Sequence, residues 1–141
     1  MNRKDLRDFA VKMLYEMDIH KSFCRENVKN FINNHEIHTK DSYLLDVADQ
    51  FLQHKEGIDD LIEKNSKSWA LNRIAKIDLS ILRVSFTEIL YLNDIPAQVS
   101  VNEAVELAKK YGDEKSYQFI NGILGNLLRV REYEDKDLHS Q

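Results

Sequence analysis

Residues Ile95 to Leu128 read I-P-A-Q-V-S-V-N-E-A-V-E-L-A-K-K-Y-G-D-E-K-S-Y-Q-F-I-N-G-I-L-G-N-L-L. Pro96 has no backbone N–H and pushes Ile95 out of the α region, so a preceding helix is expected to end near Asp94. Ser100 is followed at the fourth position by Glu103, the S-x-x-E spacing of a capping box. Its hydroxyl and carboxylate would each accept from an open N–H at a helix start, worth about 1 kcal/mol. The helix this opens carries Val101, Ala104, Val105, Ala108 and Tyr111, the spacing of one buried face. Gly112 is expected to stop it in the left-handed conformation. Asp113 then caps a second helix with the stripe Ile120, Ile123, Leu124, Leu127 and Leu128. The stretch predicts a helical hairpin with a tight, polar connection, Gly112–Ser116. That connection and the first turn after it are where function is expected.

Working outward, 141 residues suggest one domain with a real core. Apolar residues make up 43% and charged residues 31%, the balance of a globular protein. Glycine occurs only four times and proline once, so turns are few and helices many. No apolar run approaches the ~20 residues of a membrane span, and Met1–Phe9 is too charged for a signal peptide, which leads to a cytoplasmic reading. Cys24 is the single cysteine, which excludes an internal disulfide framework and a zinc ribbon. The net charge is −4. Proteins that bind nucleic acid over a wide surface are usually basic, so any such binding must use a local patch.

Asn2 can cap a first helix running to about Asp18. Leu6, Phe9, Ala10, Met13, Leu14 and Met17 share its apolar face, with Val11 and Tyr15 beside it. The other side carries Arg3, Lys4, Arg7 and Lys12 with Asp5 and Asp8 interleaved, a solvated face or a cationic strip for phosphates. A second helix fits Asn27–Asn34 with Val28, Phe31 and Ile32 buried, and Cys24 packs near its start. His35 and His38 lack a third ligand, so no metal site is expected. Asp41 or Ser42 can cap the next helix, which Gly57 weakens or divides. Trp69, Leu71 and Ile74 form a short apolar group. Asp78 then caps a helix with Leu79, Leu82, Phe86, Ile89 and Leu90 on one face and Ile77, Ile81, Val84 and Tyr91 off it. A helix apolar on several sides belongs at the centre. The residues from 131 to 141 are charged and aperiodic, a flexible tail behind a domain spanning 1–130.

The sum is an all-α domain of six or seven helices. No Gly-rich phosphate loop, Ser–His–Asp set or H-E-x-x-H motif supports catalysis. Gly122 and Gly125 lie inside a helix, where small residues permit close packing. A binding module without cofactors is expected rather than an enzyme.

D-I-P-A-Q-V-S-V-N-E-A-V-E-L-A-K-K-Y-G (Asp94–Gly112) and S-Y-Q-F-I-N-G-I-L (Ser116–Leu124) resemble the I-N-E-A-[VI]-E-L-A-K and F-[VI]-N-G-[VI]-L segments of the NusB family. L-N-R-I-A-K-I-D-L-S-I-L-R (Leu71–Arg83) and A-V-K-M-L-Y (Ala10–Tyr15) extend the likeness over nearly the whole chain, least between Ile19 and Lys40 and after Arg131. The resemblance implies two small helical bundles packed together. It implies transcription antitermination: binding of boxA RNA in ribosomal RNA leaders together with NusE, a small-subunit ribosomal protein, and joining of RNA polymerase. The family's N-terminal basic motif falls on Arg3, Lys4 and Arg7, with Asp5 where a base is frequent. A second RNA-contacting region falls on Lys115, Ser116, Tyr117, Gln118 and Phe119, with Tyr15 adjoining. Aromatics there can stack on unpaired bases. From periodicity alone Phe119 is equally a core aromatic, and the resemblance turns it toward RNA. The NusE contact falls on Asp78, Leu79 and Leu82. Family members occur as monomers and homodimers. Two other readings remain: a helical protein-interaction module, which the acidic charge favours, and an RNA-binding partner of a ribosomal RNA-modifying enzyme, since NusB-like domains occur fused to such methyltransferases.

Overall fold

Polar residues at the helix ends and apolar ones at intervals of three and four along them divide the described residues into six α-helices and one 3-10 turn. The computed structural model describes residues 1–67 and 70–139, with side chains as far as Arg131. The all-α expectation holds, and among the described residues there is no strand. Helix α1 is Arg3–His20, α2 Arg25–Asn34, α3 Tyr43–Asn65, α4 Lys76–Tyr91, α5 Ala97–Tyr111 and α6 Ser116–His139, with the 3-10 turn at Leu71–Arg73. Helices α1 to α3 form one bundle and α4 to α6 the other. Helix α4 contacts α1 and α3 on one side and α5 and α6 on the other, so it joins the two.

Asn2 caps α1 as its residue type predicts. Its side chain accepts from the Asp5 N–H while the Asp5 carboxylate accepts from the Asn2 N–H, a complete capping box. Helix α3 is two helical segments in series, and the kink that divides them is at His54 rather than at Gly57. His54 leaves helical geometry at φ −117° and ψ 16°, and its imidazole stacks on Tyr91 at 3.9 Å and 6°. Trp69 lies outside the described residues, and Leu71 opens the 3-10 turn. The backbone of α6 continues past residue 131 to His139. Residues 140 and 141 lie outside the described residues, as do the side chains beyond Arg131.

Helix α4 is buried on nearly every side, through Leu79, Ile81, Leu82, Val84, Phe86 and Ile89. Phe51 of α3 and Phe86 are completely enclosed, each contributing roughly 1.5–3 kcal/mol. The same helix also buries charge. Glu88 accepts from Arg7 Nε at 2.8 Å and Nη2 at 3.1 Å, from the Tyr43 hydroxyl at 2.5 Å and from Ser100 Oγ at 2.9 Å. One carboxylate thereby ties α1, α3 and α5 to α4. Arg83 makes the mirror contact, donating through Nε and Nη2 to Asp59 of α3 at 2.9 and 3.0 Å. Buried charge is tolerated in this form because each group is paired and hydrogen-bonded.

Three expectations are corrected by these contacts. Helix α5 begins at Ala97 behind Pro96, so Ser100 is inside it and its hydroxyl serves Glu88 rather than a cap. Glu103 is likewise no cap partner: it meets Lys4 Nζ at 3.3 Å and Arg7 Nη1 at 3.9 Å. Gly112 is extended (φ −88°, ψ −177°), so left-handed freedom is not its use. Its use is space: a Cβ there would stand 2.3 Å from Ser116 Oγ and 2.8 Å from the Ala108 carbonyl oxygen. Gly122 and Gly125, by contrast, do not serve helix packing. A Cβ at Gly122 would meet nothing within 4 Å, and one at Gly125 only an Arg129 guanidinium nitrogen at 3.6 Å.

Candidate nucleic-acid interface

The turn from α5 to α6 is built by two short side chains. Asp113 Oδ1 accepts from the Lys115 N–H at 2.9 Å, and the Asp113 N–H donates to Ser116 Oγ at 3.0 Å. Asp113 thus shapes the start of α6, as its residue type predicts. Ser116 is buried and its hydroxyl lies 3.2 Å from Asp78 Oδ2, which joins the turn to the start of α4. Asp78 itself is not the N-cap of α4. That position is Ala75, and Asp78 sits one turn in, 7% exposed, with no hydrogen-bond partner on Oδ1 among the described residues. Burial pushes its carboxyl above the usual carboxylate range. The Ser116 hydroxyl opposes that shift, and the charge of Asp113 adds to it.

The first turn of α6 then presents Tyr117, Gln118 and Phe119. Tyr117 and Phe119 are half-buried against the core and Gln118 is exposed. Lys109 Nζ lies 5.4 Å from the Tyr117 ring centroid, and Gln118 Nε2 donates to the Tyr117 hydroxyl at 3.3 Å. A groove of 470 Å³ runs along one side of this ridge, lined by Arg73, Asp78, Asp113, Lys115 and Ser116 among others. A second, of 340 Å³, runs along the other side toward the end of α3, with Lys67 and Arg129 on its walls. Gln118 and Phe119 line both. Phe119 is therefore a partition between two grooves, neither fully core nor fully surface.

The N-terminal strip is different. Arg7 is 4% exposed and points inward to Glu88, so its expected place among surface cations is corrected. Burial would lower its pKa, but the hydrogen bond and charge of Glu88 outweigh that and hold it above the ordinary arginine value. Arg3 pairs with Asp41 at 2.9 Å and Lys4 with Glu103 at 3.3 Å. Lys12 and Lys110 both meet Asp8, at 3.7 and 2.6 Å, and Tyr111 donates to the same carboxylate at 2.6 Å. Each cation of this face is thus matched by a carboxylate. Tyr15 is 36% exposed, as its place off the apolar stripe predicts. Leu79 and Leu82 are core residues, so their expected place at a partner surface is corrected.

Around Phe119 the balance reverses. Lys67, Arg73, Lys115 and Arg129 are all exposed, and none of them has an ion pair among the described residues. Lys67, Arg73 and Arg129 were not legible as a group, because the fold brings them together from three separate elements. Arg129 did leave a signal, since Phe119, Gly122, Asn126 and Arg129 follow helical spacing on one face of α6.

A model of the NusB family matches residues 4–129. Transcription antitermination protein NusB of Clostridium novyi (strain NT) is 46% identical over 133 residues, covering 92% of this chain and 100% of that protein. The protein of the same name from Acetivibrio thermocellus is 43% identical over 132 residues, covering 93% and 91%. Among solved structures, a crystal structure of antitermination factors NusB and NusE in complex with double-stranded RNA has a chain with a TM-score of 0.81 and 30% identity, covering 91% of this chain and 96% of that one. NusB of T. maritima superposes with a TM-score of 0.77 at 29% identity, covering 92% of each chain.

Proposed function

This chain belongs to the NusB family, and on that premise we propose that it is a bacterial transcription antitermination factor. It binds boxA-type RNA of ribosomal RNA leaders together with NusE and helps RNA polymerase read through terminators. It works in the cytoplasm as a binding protein, without catalysis of its own.

The observation that carries the RNA site is the Phe119 ridge, an aromatic partition between two grooves with cations beside it that have no ion pair among the described residues. Single-stranded RNA is held by this combination of a stacking face and unneutralised positive charge. In this reading Phe119 and Tyr117 stack on bases. Lys115 and Arg73 meet phosphates, and Gln118 bonds base edges. Ser116 holds the turn that presents them. Arg3, Lys4 and Tyr15 lie on a neutralised face and add less. Arg7 acts through the fold.

Asp78 is the proposed acceptor for NusE. One of its oxygens is committed to Ser116, and the other is buried beside the groove of Arg73 and Lys115 with no hydrogen-bond partner among the described residues. A cationic or N–H donor from a partner would satisfy it. Binding of labelled boxA-type RNA and a scrambled control, with and without NusE at two salt concentrations, tests the whole reading. Specific binding that NusE strengthens and salt weakens is expected. No RNA binding by the folded protein with NusE present would leave a helical protein-interaction module instead.

A further inference from the structure

We propose that the groove on the α3 side of Phe119 is a second subsite for single-stranded RNA, holding nucleotides adjacent to those on the Asp78 side. This rests on the RNA-binding reading above and extends the path of the strand beyond it.

Charge gives the first reason. The groove is lined by Lys67 and Arg129 with Asn65, Asn126 and Gln118, and by no carboxylate among the described residues. Its neighbour across Phe119 contains Asp78 and Asp113, and the cleft between α1 and α5 contains Asp8, Glu103 and Glu106. A phosphate entering this groove therefore meets attraction without an acidic competitor among the described residues of its walls.

Shape gives the second. Phe119, Gly122, Asn126 and Arg129 form one wall along α6, and Asn65, Ser66 and Lys67 at the end of α3 form the other. The walls are fastened to each other: Asn126 Nδ2 donates to the Asn65 carbonyl oxygen at 3.3 Å, and Arg129 Nη2 donates to Asn126 Oδ1. The volume of 340 Å³ lies at the small end of the range of ligand pockets.

Gly122 gives the third. A glycine inside a helix is unfavourable, yet no neighbour among the described residues requires one, since a Cβ would meet none of them within 4 Å. The absent side chain leaves the groove open beside Phe119. Continuity gives the fourth: Phe119 and Gln118 belong to both grooves, so a strand leaving one passes directly into the other.

The test uses fluorescence anisotropy with two labelled single strands, a boxA-type core and the same core extended by several nucleotides at both ends. Wild type, Phe119→Ala, Gly122→Leu and the double variant Lys67→Gln/Arg129→Gln are compared. Gly122→Leu is expected to unfold at or above the wild-type temperature, because leucine is the better helix former and has room. Its affinity for the extended strand is expected to fall at least about fivefold, with the core strand little affected. The double variant should reduce the slope of log K against log salt for the extended strand by about 1.4, roughly 0.7 per cation. Wild-type affinity of Gly122→Leu for both strands, with an unchanged slope in the double variant, would overturn the subsite. Phe119→Ala separates the two levels. If it weakens both strands while Gly122→Leu weakens neither, the subsite alone is wrong. If wild type binds neither strand, or Phe119→Ala binds as wild type does, the reading of the ridge is wrong and the subsite falls with it.

Discussion

Single residues carry the sharpest contrasts in this protein. Phe119 and Arg7 were both expected at an RNA surface, and the fold separates them. Phe119 keeps a face toward two grooves, so Phe119→Ala should cost about 1–3 kcal/mol of RNA affinity with helicity unchanged, read by anisotropy and circular dichroism. Unfolding of the variant would make Phe119 a core residue. Arg7 is buried against Glu88, so Arg7→Ala leaves a carboxylate without its main partner and should cost about 3–5 kcal/mol in denaturant unfolding. The salt dependence of RNA binding by its folded fraction should match wild type. Asp78 adds a pH signature. Its pKa is raised in the folded protein, so its stabilising contribution is complete below the unfolded value and lost as pH rises through the folded one. Asp78→Asn should therefore raise the unfolding temperature at pH 7, and the gain should fade below about pH 4. NusE affinity should fall in the same variant.

At the scale of elements, the α1–α5 seam and the α5–α6 connection show what local sequence can and cannot disclose. Asp8 joins the seam by accepting from Lys110 and Tyr111 with Lys12 nearby. Burial opposes its ionisation, but these donors prevail and hold its carboxyl below the usual range. Its contribution is therefore present above the unfolded pKa and lost as pH falls through the folded one. Asp8→Asn should destabilise by on the order of 1 kcal/mol at pH 7 and by nothing near pH 2, measured by denaturant unfolding. Gly112→Ala should cost about 1–3 kcal/mol, because its Cβ would collide with Ser116 rather than because of any φ preference. The helices themselves were legible, since their apolar intervals are local. The Ser100–Glu103 box was misleading for the opposite reason. The hydroxyl of Ser100 found a buried carboxylate on α4, a partner that no local spacing reveals. Arg7 did offer a clue. It lies three and four residues before Ala10 and Val11, on the apolar face of α1, and Glu88 lies within the most apolar helix. Charged residues in two such places signal a buried pair.

Taken whole, the molecule is acidic at −4 yet has a local cationic field around Phe119. The resemblance brought Lys115 through Phe119 into view, but not Arg73, Lys67 or Arg129, which only tertiary structure gathers around them. The strip on α1 was visible in sequence as basic residues, and its neutralisation by Asp41, Glu103 and Asp8 was not, because two of those carboxylates come from distant elements. We propose that RNA affinity arises at the ridge and not along that strip. The most direct measurement is the salt dependence of boxA-type RNA binding for wild type, for Arg73→Gln/Lys115→Gln and for Arg3→Gln/Lys4→Gln. Loss of affinity in the first variant, with a slope shallower by about 1.4, and a much smaller change in the second is the predicted result. The reverse order, with the strip variant losing the slope and the ridge variant keeping it, would put RNA binding on the strip instead.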